Sequence, residues 1–158
     1  MKVVMDTTGI IYATDFSRFE EIVVPPEVVE EVKDLASRLK LASIKNIRVE
    51  EPSKESVEKV KEVAKKTGDL ARLSQADLKV LALGYEKGYV VVSDDRNVQN
   101  ICCFLGIRFL SIFSPRIRKK IVWKEYCDSC KRVFDVGTKV CPVCGRKLRR
   151  IRWRAKPV

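Results

Sequence analysis

The stretch from Gly88 to Asn97, GYVVVSDDRN, runs three valines straight into two adjacent carboxylates. Three consecutive β-branched apolar residues without alternation read as a strand buried on both faces, the kind found in parallel sheets. Asp94 and Asp95 then stand at the carboxyl end of that strand, where open α/β sheets place their functional clefts.

The pattern upstream agrees with a parallel sheet. Strands are expected over Lys2–Met5, Ile22–Val24, Ile47–Glu50, Tyr89–Val92 and Arg108–Ser111. Helices are expected over Pro26–Leu41, Ser53–Lys66, Ser74–Lys87 and Arg96–Leu105. Strands that alternate with helices predict a sheet covered on both sides. The first strand also ends in an acid, Asp6, so Asp6 and the 94/95 pair share one cleft if the two strands are neighbours.

Wheel geometry adds two more carboxylates. On the helix starting at Pro26, Val28, Val29, Val32, Leu35, Ala36 and Leu39 make one apolar arc, with Glu27, Glu30 and Asp34 opposite and Glu31 at its edge. Glu31 is thus the acid best able to face inward, or else a solvated charge near a helix N-terminus. On the next helix but one, Asp77, Val80, Leu81 and Gly84 share one stripe. Asp77 either heads a buried face or closes a capping box with Ser74, and Asp6 and Asp94 are likewise candidate N-caps.

Four acids that converge on one end of a sheet repel one another unless some are protonated or a cation joins them. Oxygen ligands without His or thiol favour Mg²⁺ or Mn²⁺, which complete their coordination with water and phosphate oxygens.

The composition indicates where phosphate would come from. The net charge is +11, but residues 1–114 carry 17 Lys and Arg against 18 Asp and Glu, whereas residues 115–158 carry 15 against 3. A neutral body with a basic module suits a nucleic-acid partner. That module contains Cys127, Cys130, Cys141 and Cys144, two C-x2-C pairs ten residues apart. The spacing suits the corners of a zinc tetrahedron in a zinc ribbon, with iron in the same thiolate cage or disulfides as alternatives. Cys102 and Cys103 lie on an apolar stretch and read as core.

The expected organisation is therefore an α/β domain over 1–114, a linker at 115–121, and a zinc ribbon with a basic tail over 122–158. Candidate RNA contacts are Arg116, Arg118, Lys119, Lys120, Arg146, Lys147, Arg149, Arg150, Arg152 and Arg154, with Trp153 or Trp123 available to stack on a base. No run approaches the length of a membrane span, and the first residues lack the pattern of a secretory signal, so the expected location is the cytoplasm.

These residues carry a resemblance. Asp6-Thr7-Thr8 after the first strand, Glu31 in VVPPEVVEEV, Asp77 in SQADLKVLALGYEKGY and Asp95 in VVVSDDRNVQN resemble the acidic signature of PIN-domain ribonucleases. TGDLARLSQADLKVLAL and SDDRNVQN followed by a four-cysteine ribbon are similar to the Nob-one family in its archaeal form. The resemblance implies a five-stranded parallel sheet and Mg²⁺- or Mn²⁺-dependent cleavage that matures the 3′ end of small-subunit ribosomal RNA on the pre-small ribosomal subunit. It implies Asp6, Glu31, Asp77 and Asp95 as metal-holding residues, with Asp94 as the alternative to Asp95. A PIN-type toxin ribonuclease and a non-catalytic RNA-binding assembly factor are the rival functions, and oligomeric state is not legible.

Overall fold

In the computed structural model, which describes all 158 residues, five parallel strands form the first sheet. They are β1 (Lys2–Met5), β2 (Glu21–Val24), β3 (Ile47–Val49), β4 (Val90–Val92) and β5 (Phe109–Leu110). The order is β3-β2-β1-β4-β5, so the direction of winding reverses between β1 and β4, which pair with Met5 opposite Val92. A crevice opens at such a reversal, beyond the carboxyl ends of the two strands. Val90, Val91 and Val92 are buried, as the unbroken valine run requires of a strand covered on both faces.

The flanking helices are α1 (Thr7–Tyr12), α2 (Pro26–Glu31), α3 (Leu35–Ser43), α4 (Lys54–Thr67), α5 (Gln75–Lys87) and α6 (Arg96–Leu105). The stripe of α5 is buried as its spacing predicts, with Val80 and Leu81 fully enclosed. Cys102 is fully buried core, and burial pushes its thiol far above the usual range.

The helix expected over Pro26–Leu41 is instead two helices. Val32 takes an extended conformation (ψ 97°), and Asp34 starts α3 by accepting the Ser37 N–H at 2.8 Å. A good N-cap outcompetes continuation of the preceding helix, which has only six residues of its own. The single apolar arc breaks there: Val28 and Val32 are buried, but Leu35 and Leu39 are 72% and 62% exposed. Helix α1, immediately after Asp6, is an element that the sequence pattern did not reveal.

A second sheet, antiparallel, has the order β7-β6-β8, from β6 (Lys119–Cys127), β7 (Arg132–Phe134) and β8 (Arg149–Pro157). Strand β6 begins at Lys119, inside the stretch 115–121, and β8 pairs with it along nearly its whole length. The basic C-terminal residues are thus strand rather than a trailing tail.

The two sheets are joined by polar pins. The buried Asn100 side chain of α6 treats β6 as a further strand: its Oδ1 accepts the Ile121 N–H and its Nδ2 donates to Ile121 O, both at 2.8 Å. The same Nδ2 donates to Asp69 Oδ2 at 2.7 Å, and Thr67 Oγ1 donates to that oxygen too. Gly68 lies between them at φ +81°, a left-handed position where a Cβ would meet Val136, the Trp123 side chain and the Trp123 carbonyl at 2.7–3.0 Å. Asp69 is therefore a buried joint between the two units, not a contributor to the acid cleft.

Candidate active site

The mouth of the β1/β4 crevice is built from local backbone needs. Asp6 ends β1 and caps α1, accepting the Gly9 N–H at 2.8 Å and the Thr8 hydroxyl at 2.7 Å. A Cβ on Gly9 would fall 2.4 Å from Met5 Cγ, so only glycine lets this turn lie close over the strand ends. Asp6 is only 4% exposed. Burial pushes its carboxyl up to about 6, against the pull of donors from Ser93, Gly9 and Thr8, and the nearby charge of Asp77 adds to the rise.

The other acids come from separate elements. Glu31 ends α2 and accepts the Thr7 hydroxyl at 2.5 Å. Asp77 completes the capping box of α5: Ser74 N–H donates to its Oδ2 at 2.8 Å, and its own N–H donates to Ser74 Oγ at 3.1 Å. Asp95 caps α6 and accepts the Asn97 N–H at 2.7 Å. Burial raises Asp77 first, and the charges of Asp95 and Glu31 raise it further. Asp77 therefore lies within electrostatic reach of each of the other three, Asp6, Glu31 and Asp95. The capping and site readings of Asp77 and Asp95 hold together, because a carboxylate has lone pairs left after one capping bond.

None of these four acids forms an ion pair, in a chain with 32 Lys and Arg. Glu27, one turn before Glu31, is by contrast taken by Lys79, which also reaches Glu51. Four carboxylates without a counter-charge fit a hard divalent cation. No three of their oxygens fall within 4.8 Å of one another. Such a spacing suits an ion that keeps much of its water and meets some ligands through it.

Asp94, the alternative at the strand end, is committed elsewhere. Its Oδ1 accepts the backbone N–H groups of Ile112, Phe113 and Ser114 at 3.1, 3.0 and 2.8 Å. It acts as an anchor for the segment after β5, which Gln99 also holds through the Ile117 N–H at 2.9 Å. Neither anchoring role was visible in the sequence, since both partners lie 18 to 20 residues away and are backbone groups that any residue supplies.

The cysteine cage lies on the second sheet. The sulfurs of Cys127, Cys130, Cys141 and Cys144 all lie within 4.8 Å of one another, and none is in a disulfide. Cys127 Sγ is 3.6 Å from Cys144 Sγ, and Cys141 Sγ is 3.9 Å from Cys130 Sγ. A tetrahedral ion with metal–sulfur bonds of about 2.3 Å sets its sulfurs about 3.8 Å apart, between these two distances. Backbone N–H groups, Cys144 foremost, pull the Cys141 thiol down to about 7. The thiols thus fit a metal ion, with iron and zinc both compatible with the sulfur donor set.

The basic residues divide. Arg118, Lys119, Arg146, Lys147, Arg152 and Arg154 are exposed. Arg116 lies over the Phe109 ring and Lys120 over Phe104, while Arg149 pairs with Asp128 at 3.0 Å. Arg150 departs from the expected RNA-facing set. It turns inward, stacks on Trp123 at 4.4 Å, and reaches toward Asp69 at 3.8 Å. Antiparallel pairing on β8 alternates side chains between faces, which clustering of charge along the sequence does not reveal. Trp123 is accordingly half-buried packing between the units, whereas Trp153 is 44% exposed.

Comparison with known proteins agrees with this geometry. Residues 3–86 match the family described as "PIN domain of ribonuclease". The chain is 45% identical over 141 residues to Endoribonuclease Nob1 of Archaeoglobus fulgidus, covering 85% of this chain and 83% of that protein. It is 40% identical to Endoribonuclease Nob1 of Pyrococcus abyssi over 96% of this chain and 94% of the other. Among solved structures, VapBC2 from Rickettsia felis, bound to a promoter DNA fragment, superposes with a TM-score of 0.50. That match is 13% identical and covers 70% of this chain and 98% of the other, a likeness of fold alone.

Proposed function

The chain belongs to the Nob1 endoribonucleases, a PIN-domain family, and from that premise we propose that it is an endoribonuclease that matures the 3′ end of small-subunit ribosomal RNA. The observation that carries the reading is the set Asp6, Glu31, Asp77 and Asp95 at the β1/β4 reversal, four acids with no protein cation among them. They hold Mg²⁺ or Mn²⁺, directly or through water. When bound, the divalent ion lowers the pKa of a water and offsets the charge that grows on the phosphate.

The chain's own groups do the rest. Thr7 holds the Glu31 carboxylate, and the capping bonds hold those of Asp77 and Asp95, so all three are set before RNA arrives. The Thr8 hydroxyl donates to Asp6 and accepts the Asp94 N–H, tying the ends of β1 and β4 together. Hydrolysis breaks the P–O3′ bond: the water oxygen stays on the downstream 5′-phosphate and a proton goes to the upstream 3′-hydroxyl. The chain has no His to serve as base, which leaves proton removal to the acids or to solvent.

The ion in the cysteine cage is zinc, a structural ion that organises the β6–β7 end of the ribbon. The remaining core there is small: besides the thiols, only Leu148 is buried. The exposed cations of β8 and of the segment around Lys119 engage precursor small-subunit rRNA on the pre-small subunit, in the cytoplasm.

The test is cleavage of a short RNA spanning the 3′ end of the precursor, with Mn²⁺ or with EDTA, by wild type and Asp6→Asn. A single cut lost in EDTA and in the variant is expected. Tight binding without any cut in Mn²⁺ refutes the nuclease and favours the assembly factor.

A further inference from the structure

A cavity of about 510 Å³ lies where α6 meets the second sheet. Five cations surround it: Arg96 from the start of α6, Arg116, Arg118 and Lys119 from the segment entering β6, and Arg152 from β8. None of the five is in an ion pair, and the one carboxylate in the wall, Asp69, is already engaged by Thr67 and Asn100. Trp123 supplies an aromatic surface.

One polar atom in this wall has no hydrogen bond, only a long ion pair. Asp69 is fully buried, its Oδ1 accepts no hydrogen bond, and Arg150 Nη2 comes only to 3.8 Å. A carboxylate oxygen held only by a 3.8 Å ion pair, in the wall that five cations line, suits a ligand with two ends: a phosphate for the cations and an N–H or hydroxyl donor for the carboxylate. A ribonucleotide has both, together with a base that can lie against an indole. A sulfate ion or an ionised acidic side chain lacks the donor, and inorganic phosphate, which has one, lacks the base. The volume is within the range of sites that hold ligands of nucleotide size.

The cavity also borders the residue that ends the cleft. Arg96 follows Asp95 in the chain, and the Asn97 N–H in the cavity wall donates to Asp95 Oδ1. We propose that the cavity seats one nucleotide of a single-stranded RNA whose scissile phosphate lies at the acids. The proposal rests on the ribonuclease reading above, and it makes the second sheet part of the substrate path, not only an external anchor. Neither unit makes the seat alone, since its cations come from both.

Trp123 and Trp153 are the only tryptophans, so Trp153→Phe leaves Trp123 as the sole reporter. This protein, in EDTA to prevent cleavage, is titrated with hexauridylate at several salt concentrations while Trp123 fluorescence is followed. Arg96→Gln and Arg118→Gln are compared with Lys139→Gln, which removes one exposed charge elsewhere on the ribbon. The expected result is a saturable Trp123 response. Each arginine variant should weaken binding about fivefold and flatten the log–log salt slope by about 0.7, with Lys139→Gln below about twofold.

Equal losses for all three variants overturn the seat, as does RNA binding that leaves Trp123 silent. Uridine monophosphate matching the hexamer in affinity overturns the assignment to an RNA strand. Mn²⁺-dependent cleavage of the precursor RNA, measured in the same background, separates the two ideas. Cutting without a Trp123 response removes the seat and leaves the nuclease. A Trp123 response without cutting leaves the seat and removes the nuclease.

Discussion

Asp6→Asn should make the metal-free protein more stable above neutral pH, and by an amount that depends on pH. The Asp6 carboxyl is raised from 3.8 to about 6, chiefly by burial, so the folded protein holds this proton more tightly than the unfolded chain. Below about pH 4 both states are protonated and the group costs nothing. Between about pH 4 and 6 the unfolded chain releases the proton first, so stability falls as pH rises, and above about pH 7 the whole cost remains. Two units at about 1.4 kcal/mol each set that cost at roughly 3 kcal/mol, undiminished by solvent because the side chain is buried. Asparagine keeps an acceptor for the Gly9 N–H but weakens the contacts with Thr8 and Ser93, which offsets about 1 kcal/mol. The net expectation is a gain of about 2 kcal/mol at pH 8 and a loss of about 1 kcal/mol at pH 4, measured by guanidinium unfolding of both proteins in EDTA. Saturating Mn²⁺ should then stabilise wild type more than the variant, because the ion binds the folded state through that carboxylate. The reasoning is refuted if Asp6→Asn is no more stable than wild type at pH 8, or if its advantage is the same at both pH values.

Asp94 and Asp95 should separate cleanly. Asp94→Ala removes the acceptor of three backbone N–H groups and should cost about 2 kcal/mol of stability, whereas Asp95→Asn should abolish Mn²⁺-dependent cleavage with the fold kept, both read by melts and a cleavage assay. Cys127→Ser should bring the bound zinc, measured by elemental analysis, from about one per chain to none. The far-ultraviolet helical signal should persist, because the helices belong to the other unit. Gly68→Ala should cost about 2–4 kcal/mol, since a Cβ there meets Trp123 and Val136 at a left-handed φ. Limited proteolysis should then cut between residues 111 and 118 faster than in wild type, and equal rates would show that Gly68 is not the hinge of the joint.

Much of the molecule was legible in the chain. The valine run of β4, the alternation of strands and helices, the buried stripe of α5 and the two C-x2-C pairs each depend on neighbours within a few residues. Burial on both faces, helical spacing and metal-ligand spacing are local patterns, and each reappears in the structure where the sequence puts it. The acids were legible for the same reason: Asp6 follows a strand, Asp77 and Asp95 cap helices and Glu31 sits at the edge of a helical arc, and each position has a recognisable local chemistry.

What failed was equally specific. The break between α2 and α3 turned on whether Asp34 caps a new helix or rides on an old one; it caps, taking the Ser37 N–H, while Val32 before it turns extended and is buried. Asp94 and Asp95 are adjacent and chemically identical in the sequence. Both lie past the end of β4, where the chain turns into α6: Asp94 accepts the backbone N–H groups of the segment after β5, and Asp95 caps the helix at the cleft. Arg150 and Arg152, two apart on β8, both lie over the Trp123 ring, the first reaching into the joint and the second lining the cavity.

The sequence by itself determined most strands and helices of the first unit, that four acids stand at or near element ends, and that four thiols pair by spacing, because each of these is governed by short-range periodicity and capping. Only the tertiary structure decided that β1 lies beside β4, which sets Asp6 and Asp95 at one crevice, that Asp69 and Asn100 join the two units, and that five cations line one cavity with Asp69 in its wall. Those outcomes depend on contacts between residues tens of positions apart, where the energy comes from burial and hydrogen bonds that no local pattern records.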